Sequence, residues 1–495
     1  MIIVAVGQFL PSGTVYAAQL KAGIAKVNIT SKEGKGLVND SLYVKALVLD
    51  DGTTRAVIVC LDARAIGGKG SIGNDFLDNV RSQILKELNI KPSNVLITAT
   101  GASGDRLCSD LDKRTVQAVK KALQNMVSVD IGVGIGYEDR IMENRRLKLK
   151  NDKEWTIRGA NPLPPDEEVA GIGPVDPEIG ILRLDKKNGK TLAVVYNFAC
   201  HPYQGVPNKG TTADFPGFAS KVIEDNLSEG SIALFLQGCL GNITTVLYKD
   251  VNNPRDAEPL GNMLGLSTLQ ALKKIQCKGN GELKVLDEFI ELPRRADLPE
   301  RIDSLEAEQV KLLQSLRGTS LNVKTFIPLY IKYNLSSDYP SYYSHRYLHD
   351  KMIGRNDLES LDMENRRNID KYLRDIYAME KLARIQENMS ILKEQQKILE
   401  ESGGKTIKFE VQCMRIGNFI LVTFPGEPVV QIGLNIKKMS PYEFTFVSAY
   451  SNGCIGYSPT AEQFKGEDLE DTYCVLAPEW QKIYEEKVLE MLKKL

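Results

Sequence analysis

The chain has 495 residues, 42% of them hydrophobic, which is an ordinary proportion for a folded protein with a buried core. Lysine and arginine total 63 and aspartate and glutamate total 64, so the formal net charge is −1. This balance argues against a nucleic-acid-binding protein, which carries a clear excess of basic residues. No apolar run reaches the about 20 residues that span a bilayer, so we expect no transmembrane segment.

The first twenty residues contain no lysine, arginine, aspartate or glutamate. They end near the small-residue sequence Val15-Tyr16-Ala17-Ala18, which is similar to the cleavage site of a secretory signal, although the basic segment that opens such a signal is missing. We therefore interpret residues 1–18 as the remnant of a signal peptide and expect an exported protein, periplasmic or extracellular. The alternative is an ordinary apolar first strand.

The eight cysteines form no CxxC pair, so a cysteine zinc site is not expected. Several lie in apolar runs, as Cys60 does after residues 56–59, and we predict buried free thiols. In an exported protein one disulfide is the alternative, and the sequence does not choose its pair.

Segments typical of strands and of helices alternate from Ala22 to about Val285. Three of the predicted strands, at residues 94–100, 191–199 and 231–237, are each followed by a loop of small or polar residues. Because α/β folds tend to bind ligands at the carboxyl ends of their strands, we expect these loops to lie at a site.

Residues 296–402 are rich in glutamate, lysine, leucine and arginine, and most of the stretch is typical of helix. Strand patterns return from Thr406, and the chain closes with a glycine-rich loop at 452–459 and a helix from Pro478. The predicted fold class is therefore α/β, with one mixed-sheet domain over residues 19–495 that includes a helical insertion at 296–402.

The sequence contains three histidines, and histidine is the commonest metal ligand and general base near neutral pH. His201 follows an apolar strand and precedes a proline, so it is held at a strand end; it is either a functional group or a core histidine bonded to the backbone. His345 and His349 have the i, i+4 spacing of a helical metal site, but their tyrosine-rich and basic surroundings favour a surface or lid patch.

Three further positions carry side chains suited to chemistry. Glu427, in a Pro-Gly-Glu-Pro turn, is suited to bind a cation or act as a base, or simply to stabilise a helix N-terminus. Tyr457 is suited to stabilise an oxyanion, or to pack as a loop aromatic. In Asn144-Arg145-Arg146, one arginine is suited to bind a carboxylate or phosphate with two hydrogen bonds.

The most specific motifs are Asn197-Phe198-Ala199-Cys200-His201-Pro202 and Gly456-Tyr457-Ser458-Pro459-Thr460. They occur in one co-linear series with Ala22-Gly23-Ile24-Ala25, Asn144-Arg145-Arg146, Gly173-Pro174-Val175-Asp176-Pro177-Glu178, Ala213-Asp214-Phe215-Pro216-Gly217, Phe235-Leu236-Gln237-Gly238 and Pro425-Gly426-Glu427. In this order they resemble the neutral/alkaline (non-lysosomal) ceramidase family, in its bacterial branch, along nearly the whole chain.

The resemblance implies a zinc-dependent amidohydrolase, in which the metal activates a water and polarises the amide carbonyl. It puts metal ligands at His201, Glu427 and Tyr457, a substrate-binding arginine at Arg146 or Arg145, and a family serine near Thr244. His201, Tyr457, Arg146 and Thr244 are thus the expected catalytic residues, and the candidates for binding substrate are Arg145, Asp214, Asn242 and Ser103.

One segment departs from the family pattern. The family carries Thr-His-Thr-His-Ser-Gly where this chain has Thr100-Gly101-Ala102-Ser103-Gly104-Asp105, so both histidines are missing. Since catalytic zinc usually has three good protein ligands, we expect zinc to bind weakly or not at all. The chain also ends where the family's catalytic domain ends, without the immunoglobulin-like domain of longer ceramidases, which argues against a membrane lipid as substrate.

Three hypotheses follow. The first is an amidohydrolase of N-acyl or related bonds with a degraded zinc site. The second is a metal-independent lyase or hydrolase of acidic glycans that uses His201, Tyr457 and Arg146 as base, acid and carboxylate clamp. The third is a non-catalytic binding protein. In each case the expected partner is a small molecule or a glycan- or lipid-derived substrate, and not a nucleic acid.

Overall fold

The computed structural model describes residues 19–33, 36–68, 70, 72–102, 106–157, 163–245, 255–279, 281–336, 338–340, 343–465 and 469–495. The predicted signal remnant, residues 1–18, lies outside these ranges, as do Ser103 and Asp105. The chain divides into a first unit of residues 1–148, 171–294 and 405–495 and a second unit of residues 149–170 and 295–404. The second unit thus contains residues 149–170 besides the helical stretch that the sequence indicates.

The strands are β1 (Lys21–Asn28), β2 (Tyr43–Asp50), β3 (Arg55–Leu61), β4 (Val95–Ala99), β5 (Val127–Tyr137), β6 (Met142–Asn144), β7 (Arg146–Leu149), β8 (Glu154–Thr156), β9 (Val169–Ile172), β10 (Glu178–Lys186), β11 (Thr191–Phe198), β12 (Ile232–Gln237), β13 (Ile243–Thr245), β14 (Leu283–Pro293), β15 (Thr406–Ile416), β16 (Phe419–Thr423), β17 (Glu427–Pro428), β18 (Phe444–Ser448) and β19 (Tyr457–Ser458). The helices are α1 (Phe76–Leu88), α2 (Leu111–Gln124), α3 (Asp214–Asp225), α4 (Ala257–Leu272), α5 (Leu298–Ser315), α6 (Val323–Leu335), α7 (Ser344–Met352), α8 (Asp357–Ser402), α9 (Val430–Met439), α10 (Leu469–Tyr473) and α11 (Trp480–Lys494). This arrangement confirms the predicted α/β class.

An eight-stranded sheet with the order β12-β11-β10-β5-β1-β2-β3-β4 forms the centre of the first unit. Its end pairs, β3 with β4 and β11 with β12, are parallel, and the other neighbours are antiparallel. Counted along the sheet, β4 and β12 run in opposite directions. The segment 449–450 joins the carboxyl ends of these two strands, because the backbone N–H of Ala99 donates to Tyr450 O at 3.2 Å and that of Ala449 donates to Gln237 O at 2.8 Å. Since β11 is the parallel neighbour of β12, the carboxyl ends of β4 and β11 lie on the same side of the unit.

A second sheet, β14-β15-β16-β18, packs on one face of the eight-stranded sheet. Leu421 and Phe446 from the second sheet share a buried cluster with Leu182 and Leu234 of the first. Helices α1 and α2 cover part of the opposite face, α3 and α4 cover another part, and α9 and α11 cover the outer face of the second sheet. The first unit is therefore a layered helix–sheet–sheet–helix structure.

Apolar strands explain why this layering forms. Every residue of β4, β11 and β12 is buried, because both faces of these strands are covered. Strands of this kind read as continuous apolar runs, and that is how they could be predicted from sequence. The predicted strands at 191–199 and 231–237 agree with β11 and β12 within one residue.

Helices dominate the second unit. Buried apolar residues of α5 and of the 46-residue helix α8 pack together, namely Leu298, Ile302 and Leu305 with Ile385, Met389 and Leu392. The Arg384 guanidinium lies 4.1 Å from the ring centre of Trp155, which ties the segment 149–170 to α8. Among the described residues, no helix is both long enough and apolar enough to cross a membrane.

Candidate functional site

Four loops of the first unit meet where the carboxyl ends of β4 and β11 converge. A Cβ atom added to Gly101 would lie 3.0 Å from Tyr450 Cε2 and 3.2 Å from Pro202 Cδ, so these three segments are in direct contact. The backbone N–H of Tyr450 donates to Gly426 O at 3.1 Å. The sequence motifs around residues 100, 201, 427 and 457 therefore come together in space.

Short paired strands hold Glu427 and Tyr457, the two candidate residues nearest the C-terminus. β17 pairs with β19 in parallel register, with Glu427 opposite Tyr457. The backbone N–H of His201 donates to Ile243 O at 3.1 Å, and β13, which begins at Ile243, pairs with β6. The three predicted metal-ligand positions, His201, Glu427 and Tyr457, are thus held on paired backbone.

His201 lies in the interior with both ring nitrogens next to acceptors. Its Nδ1 is 2.8 Å from Ile243 O, and its Nε2 is 3.2 Å from Glu427 Oε2. The side chain is 0% exposed. The sequence offered two alternatives, a functional histidine and a core histidine bonded to the backbone. Each alternative matches one nitrogen of the ring: Nδ1 lies next to a backbone carbonyl, and Nε2 lies next to the Glu427 carboxylate.

The His201–Glu427 pair holds one proton fewer than its contacts require, because both ring nitrogens of His201 lie next to acceptors. Burial, together with Arg145, lowers the pKa of His201 below its usual value, so the ring favours its neutral form. Burial opposes ionisation of Glu427 too, but hydrogen bonding from His201 and the charge of Arg145 leave the pKa of that carboxyl lowered overall. A neutral imidazole has one N–H. If Nδ1 donates it to Ile243 O, then the lone pair of Nε2 faces a carboxylate oxygen, and the two acceptors need a proton or another cation between them.

Phenol groups surround this pair. The Tyr203 ring stacks on the His201 ring with centres 4.7 Å apart, and the Tyr457 ring centre lies 6.1 Å from it. The Tyr450 hydroxyl helps to lower the pKa of Glu427. Burial raises the pKa of Tyr203 to about 12 and raises the pKa values of Tyr450 and Tyr457 well above the usual value for tyrosine. At neutral pH all three are protonated hydroxyls, which can donate hydrogen bonds to negative charge.

The two adjacent arginines of the Asn-Arg-Arg motif have different surroundings. Arg146 donates from Nη1 to Glu470 Oε2 at 2.9 Å and is 2% exposed. Arg145 donates from Nε to Glu470 Oε1 at 3.0 Å and from Nη2 to Gly241 O at 2.7 Å, and its guanidinium carbon lies 5.3 Å from the centre of the Tyr457 ring. Arg145 is thus the arginine beside Tyr457, while Arg146 makes an interior ion pair.

The other predicted site residues are buried around the same loops. Thr244 lies in β13 opposite Glu143 of β6. Asn242 accepts a hydrogen bond from the backbone N–H of Val430 through its Oδ1 at 2.9 Å. Both have structural contacts that shape the loops behind His201. Ser103 lies outside the described residues.

Asp214 begins α3 with a left-handed φ of 55°. It accepts hydrogen bonds from the backbone N–H groups of Gly205 at 2.6 Å and Phe215 at 2.8 Å. Burial raises its pKa to about 6 in spite of these bonds. Asp214 therefore holds the chain segment that follows His201, and the structure records this contact and not one with His201 itself.

His345 and His349 lie in α7 of the second unit, far along the chain from the site loops. Both are solvent-exposed. They line a surface depression with Arg346, Asp350 and Leu358. This location is in line with the surface patch that the sequence indicates.

Three side chains near His201 were not predicted: Tyr203, Tyr450 and Arg64. Tyr203 is two residues from His201, and this short separation in the sequence could have predicted that it lies at the site. Arg64 follows β3, beside the loop after β4 that contacts Tyr450 and Pro202, and Tyr203, Tyr450 and Glu427 raise the pKa of its guanidinium. An exposed arginine after a strand has no distinctive sequence pattern, so only the structure places it here.

The donor set can be compared with what zinc requires. A ligating histidine commonly donates its second ring N–H to a carbonyl, as His201 Nδ1 does to Ile243 O, and this leaves Nε2 free for a metal. Catalytic zinc sites have three protein ligands, yet the described residues hold no cluster of three histidine, cysteine, aspartate or glutamate side chains. The third group is the protonated phenol of Tyr457, and the Arg145 cation lies beside it. His201 and Glu427 are thus the two good zinc ligands among these groups, and weak zinc binding stays a prediction.

Comparisons with known proteins place this geometry on a known fold. No protein-family model matches the chain, and no curated protein sequence matches it either. Among solved structures, a ceramidase complexed with C2 aligns with a TM-score of 0.61 and 16% identity, covering 96% of this chain and 75% of that one. The neutral ceramidase from Pseudomonas aeruginosa aligns equally well, with a TM-score of 0.61, 16% identity, and coverage of 96% and 74%. The chain therefore has the fold of these ceramidases over almost its whole length, and at this identity the likeness establishes the fold alone.

Proposed function

We propose that the protein is a hydrolase of N-acyl (amide) bonds, with its reaction centre at the buried His201–Glu427 pair. The observation that carries the proposal is the 3.2 Å approach of His201 Nε2 to Glu427 Oε2 while Nδ1 lies 2.8 Å from Ile243 O, so that a neutral ring with one N–H faces two acceptors beside phenol and guanidinium groups. Similarity in fold to two ceramidases, whose name denotes hydrolysis of an N-acyl lipid, supports the same class of reaction.

Each group has a role that follows from its protonation state. A water molecule that attacks the amide carbon must lose a proton, and the His201–Glu427 pair, one positive charge short, is placed to accept it. The C–O bond forms as the carbonyl oxygen becomes negative. The C–N bond then breaks, and the same proton passes to the leaving nitrogen, so that the pair returns to its initial state.

The developing oxyanion needs fixed donors, because preorganised donors stabilise a transition state without reorganising. The Tyr457 hydroxyl is protonated, since burial raises its pKa well above 10, and Arg145 lies over its ring. Arg145 is itself held by Glu470 and Gly241 O. These contacts support an oxyanion-binding role for Tyr457 with Arg145.

The test is an assay of purified protein against a panel of N-acyl amides, including ceramide and N-acylated amino acids, with the released acid measured by mass spectrometry. We expect His201→Gln and Glu427→Gln each to lower kcat/KM by about 100-fold or more, the usual contribution of a general base. His345→Gln is the matched control, because that histidine is exposed in the second unit. The proposal fails if no amide is cleaved, or if the His201 variant is as active as the control.

A metal-independent lyase of acidic glycans is the second candidate. It is favoured by the same imidazole lying among three protonated phenols with a guanidinium beside Tyr457, since such a lyase needs a base, an acid and a group that neutralises a carboxylate. Incubation with uronate-containing oligosaccharides, followed by absorbance of the unsaturated product, separates the two. A protein that turns over neither class of substrate fits the third hypothesis, a binding protein.

A further inference from the structure

Arg64 is held at the site by the backbone around it. It follows β3 by three residues, and the neighbouring carbonyls accept hydrogen bonds from the loop after β4: Thr100 N–H to Leu61 O at 2.9 Å and Gly101 N–H to Ala63 O at 3.0 Å. Gly101 in turn contacts Tyr450 and Pro202. The segment that carries Arg64 therefore contacts the loop at Gly101, and that loop contacts the loop that follows His201.

The Arg64 side chain is exposed, unlike the other arginines near the site. Among the described residues, no hydrogen bond or ion pair of its guanidinium occurs within the usual distances. Arg145 and Arg146, by contrast, are fixed to Glu470. A guanidinium has five N–H donors arranged to bind a planar anion with two hydrogen bonds. Among the described residues no protein acceptor uses these donors in Arg64, so they are accessible to a ligand.

The groups that raise the pKa of Arg64 are those around His201. Burial alone lowers the pKa of Arg64, yet Tyr203, Tyr450, Glu427 and Tyr457 together raise it. The groups that act on it are thus the groups that surround His201. Glu427 is hydrogen-bonded to His201 and makes no ion pair with Arg64, so the Arg64 charge is not neutralised by a close contact with that carboxylate.

We propose that Arg64 binds an anionic group of the substrate, a carboxylate, sulfate or phosphate, next to the bond that the His201–Glu427 pair cleaves. This proposal rests on the proposed function and adds to it a substrate class: an N-acyl compound whose amine portion is acidic. Arg145 is held by Glu470, by Gly241 O and beside Tyr457, so Arg64 selects the charge of the substrate while Arg145 and Tyr457 bind the reacting carbonyl.

Kinetics with a matched pair of substrates tests the inference. N-lauroylglycine and N-lauroylglycinamide share an acyl chain and a scissile bond, and only the first carries a carboxylate. We expect Arg64→Gln to raise KM for N-lauroylglycine at least tenfold, because hydrogen bonds to charged groups have this strength. It should leave kcat for that substrate, and kcat/KM for the glycinamide, within about twofold of the wild type, and Arg64→Lys should recover part of the loss. Arg140→Gln, which removes another exposed arginine, is the control.

Binding measurements keep the inference testable without turnover. Calorimetry with hexanoate, hexyl sulfate, hexyl phosphate and neutral hexanamide compares the wild type with Arg64→Gln. We expect at least one anion to bind the wild type, hexanamide to bind much more weakly, and the variant to lose the difference; the tightest head group identifies the anion. If no amide is cleaved but this pattern is seen, the proposed function fails and the anion site stands. Equal binding of the anions to both proteins, no binding at all, or equal KM values overturn the anion site.

Discussion

Glu470 holds two arginine side chains in the interior of the first unit, and its replacement gives a sharp test of the site's construction. Its Oε1 accepts from Arg145 Nε at 3.0 Å and its Oε2 accepts from Arg146 Nη1 at 2.9 Å, and its side chain is 0% exposed. Glu470→Gln keeps the shape and removes the negative charge. Both guanidiniums, which have side chains 10% and 2% exposed, then lose a buried counter-charge.

The expected loss of stability is large because charges are costly to bury without a partner. Removing one partner of a buried ion pair costs about 3–5 kcal/mol. The glutamine amide oxygen still accepts one hydrogen bond, so we expect a value near the lower end, about 3 kcal/mol. That is a substantial part of the roughly 5–15 kcal/mol by which folded domains are stable.

Tryptophan fluorescence during urea denaturation measures this loss within the first unit. The sequence has two tryptophans: Trp480 is fully buried in the first unit, and Trp155 belongs to the second. The experiment is therefore done in a Trp155→Phe background. Glu490→Gln is the control, because Glu490 makes exposed ion pairs with Lys487 and Lys494. If Glu470→Gln is no more destabilising than Glu490→Gln, the interior ion pair is not a determinant of stability and our reasoning is wrong.

Two further changes have expected outcomes. Partial burial and the neighbouring Glu410 carboxylate raise the pKa of Asp287 to about 7, so between about pH 4 and 7 the folded protein keeps a proton that the unfolded chain has lost, and stability should fall as pH rises through this window. Asp287→Asn should remove this loss and give a protein more stable than wild type at pH 8 but not at pH 4, as measured by urea denaturation; equal pH profiles would contradict the assignment. Gly101→Ala should reduce both stability and kcat/KM, because the residue has φ +86° and the added Cβ would lie 3.0 Å from Tyr450, whereas Gly189→Ala, also at positive φ but with open space around it, should reduce stability alone.

The elements of the first unit could be predicted because their signal is local. Strands such as β11 and β12 are buried on both faces and so consist of unbroken apolar runs, and the helices α1 and α2 show the period of one apolar face. The assignment of residues 149–170 to the second unit could not be predicted. It depends on contacts between distant parts of the chain, such as Arg384 with Trp155.

The sequence alone determined the α/β class, the strand ends that carry polar loops, and His201, Glu427 and Tyr457 as candidate site residues. It did so because hydrophobic runs and motif spacing are properties of neighbouring residues. Only the tertiary structure decided that His201 and Glu427, 226 positions apart, meet at 3.2 Å, that Arg145 and not Arg146 lies beside Tyr457, and that the segment carrying Arg64 lies next to the loop that contacts Tyr450 and Pro202. The physical reason is that backbone hydrogen bonds between segments far apart in the chain bring separate strand ends together, and no local pattern records which of two adjacent side chains then faces the site.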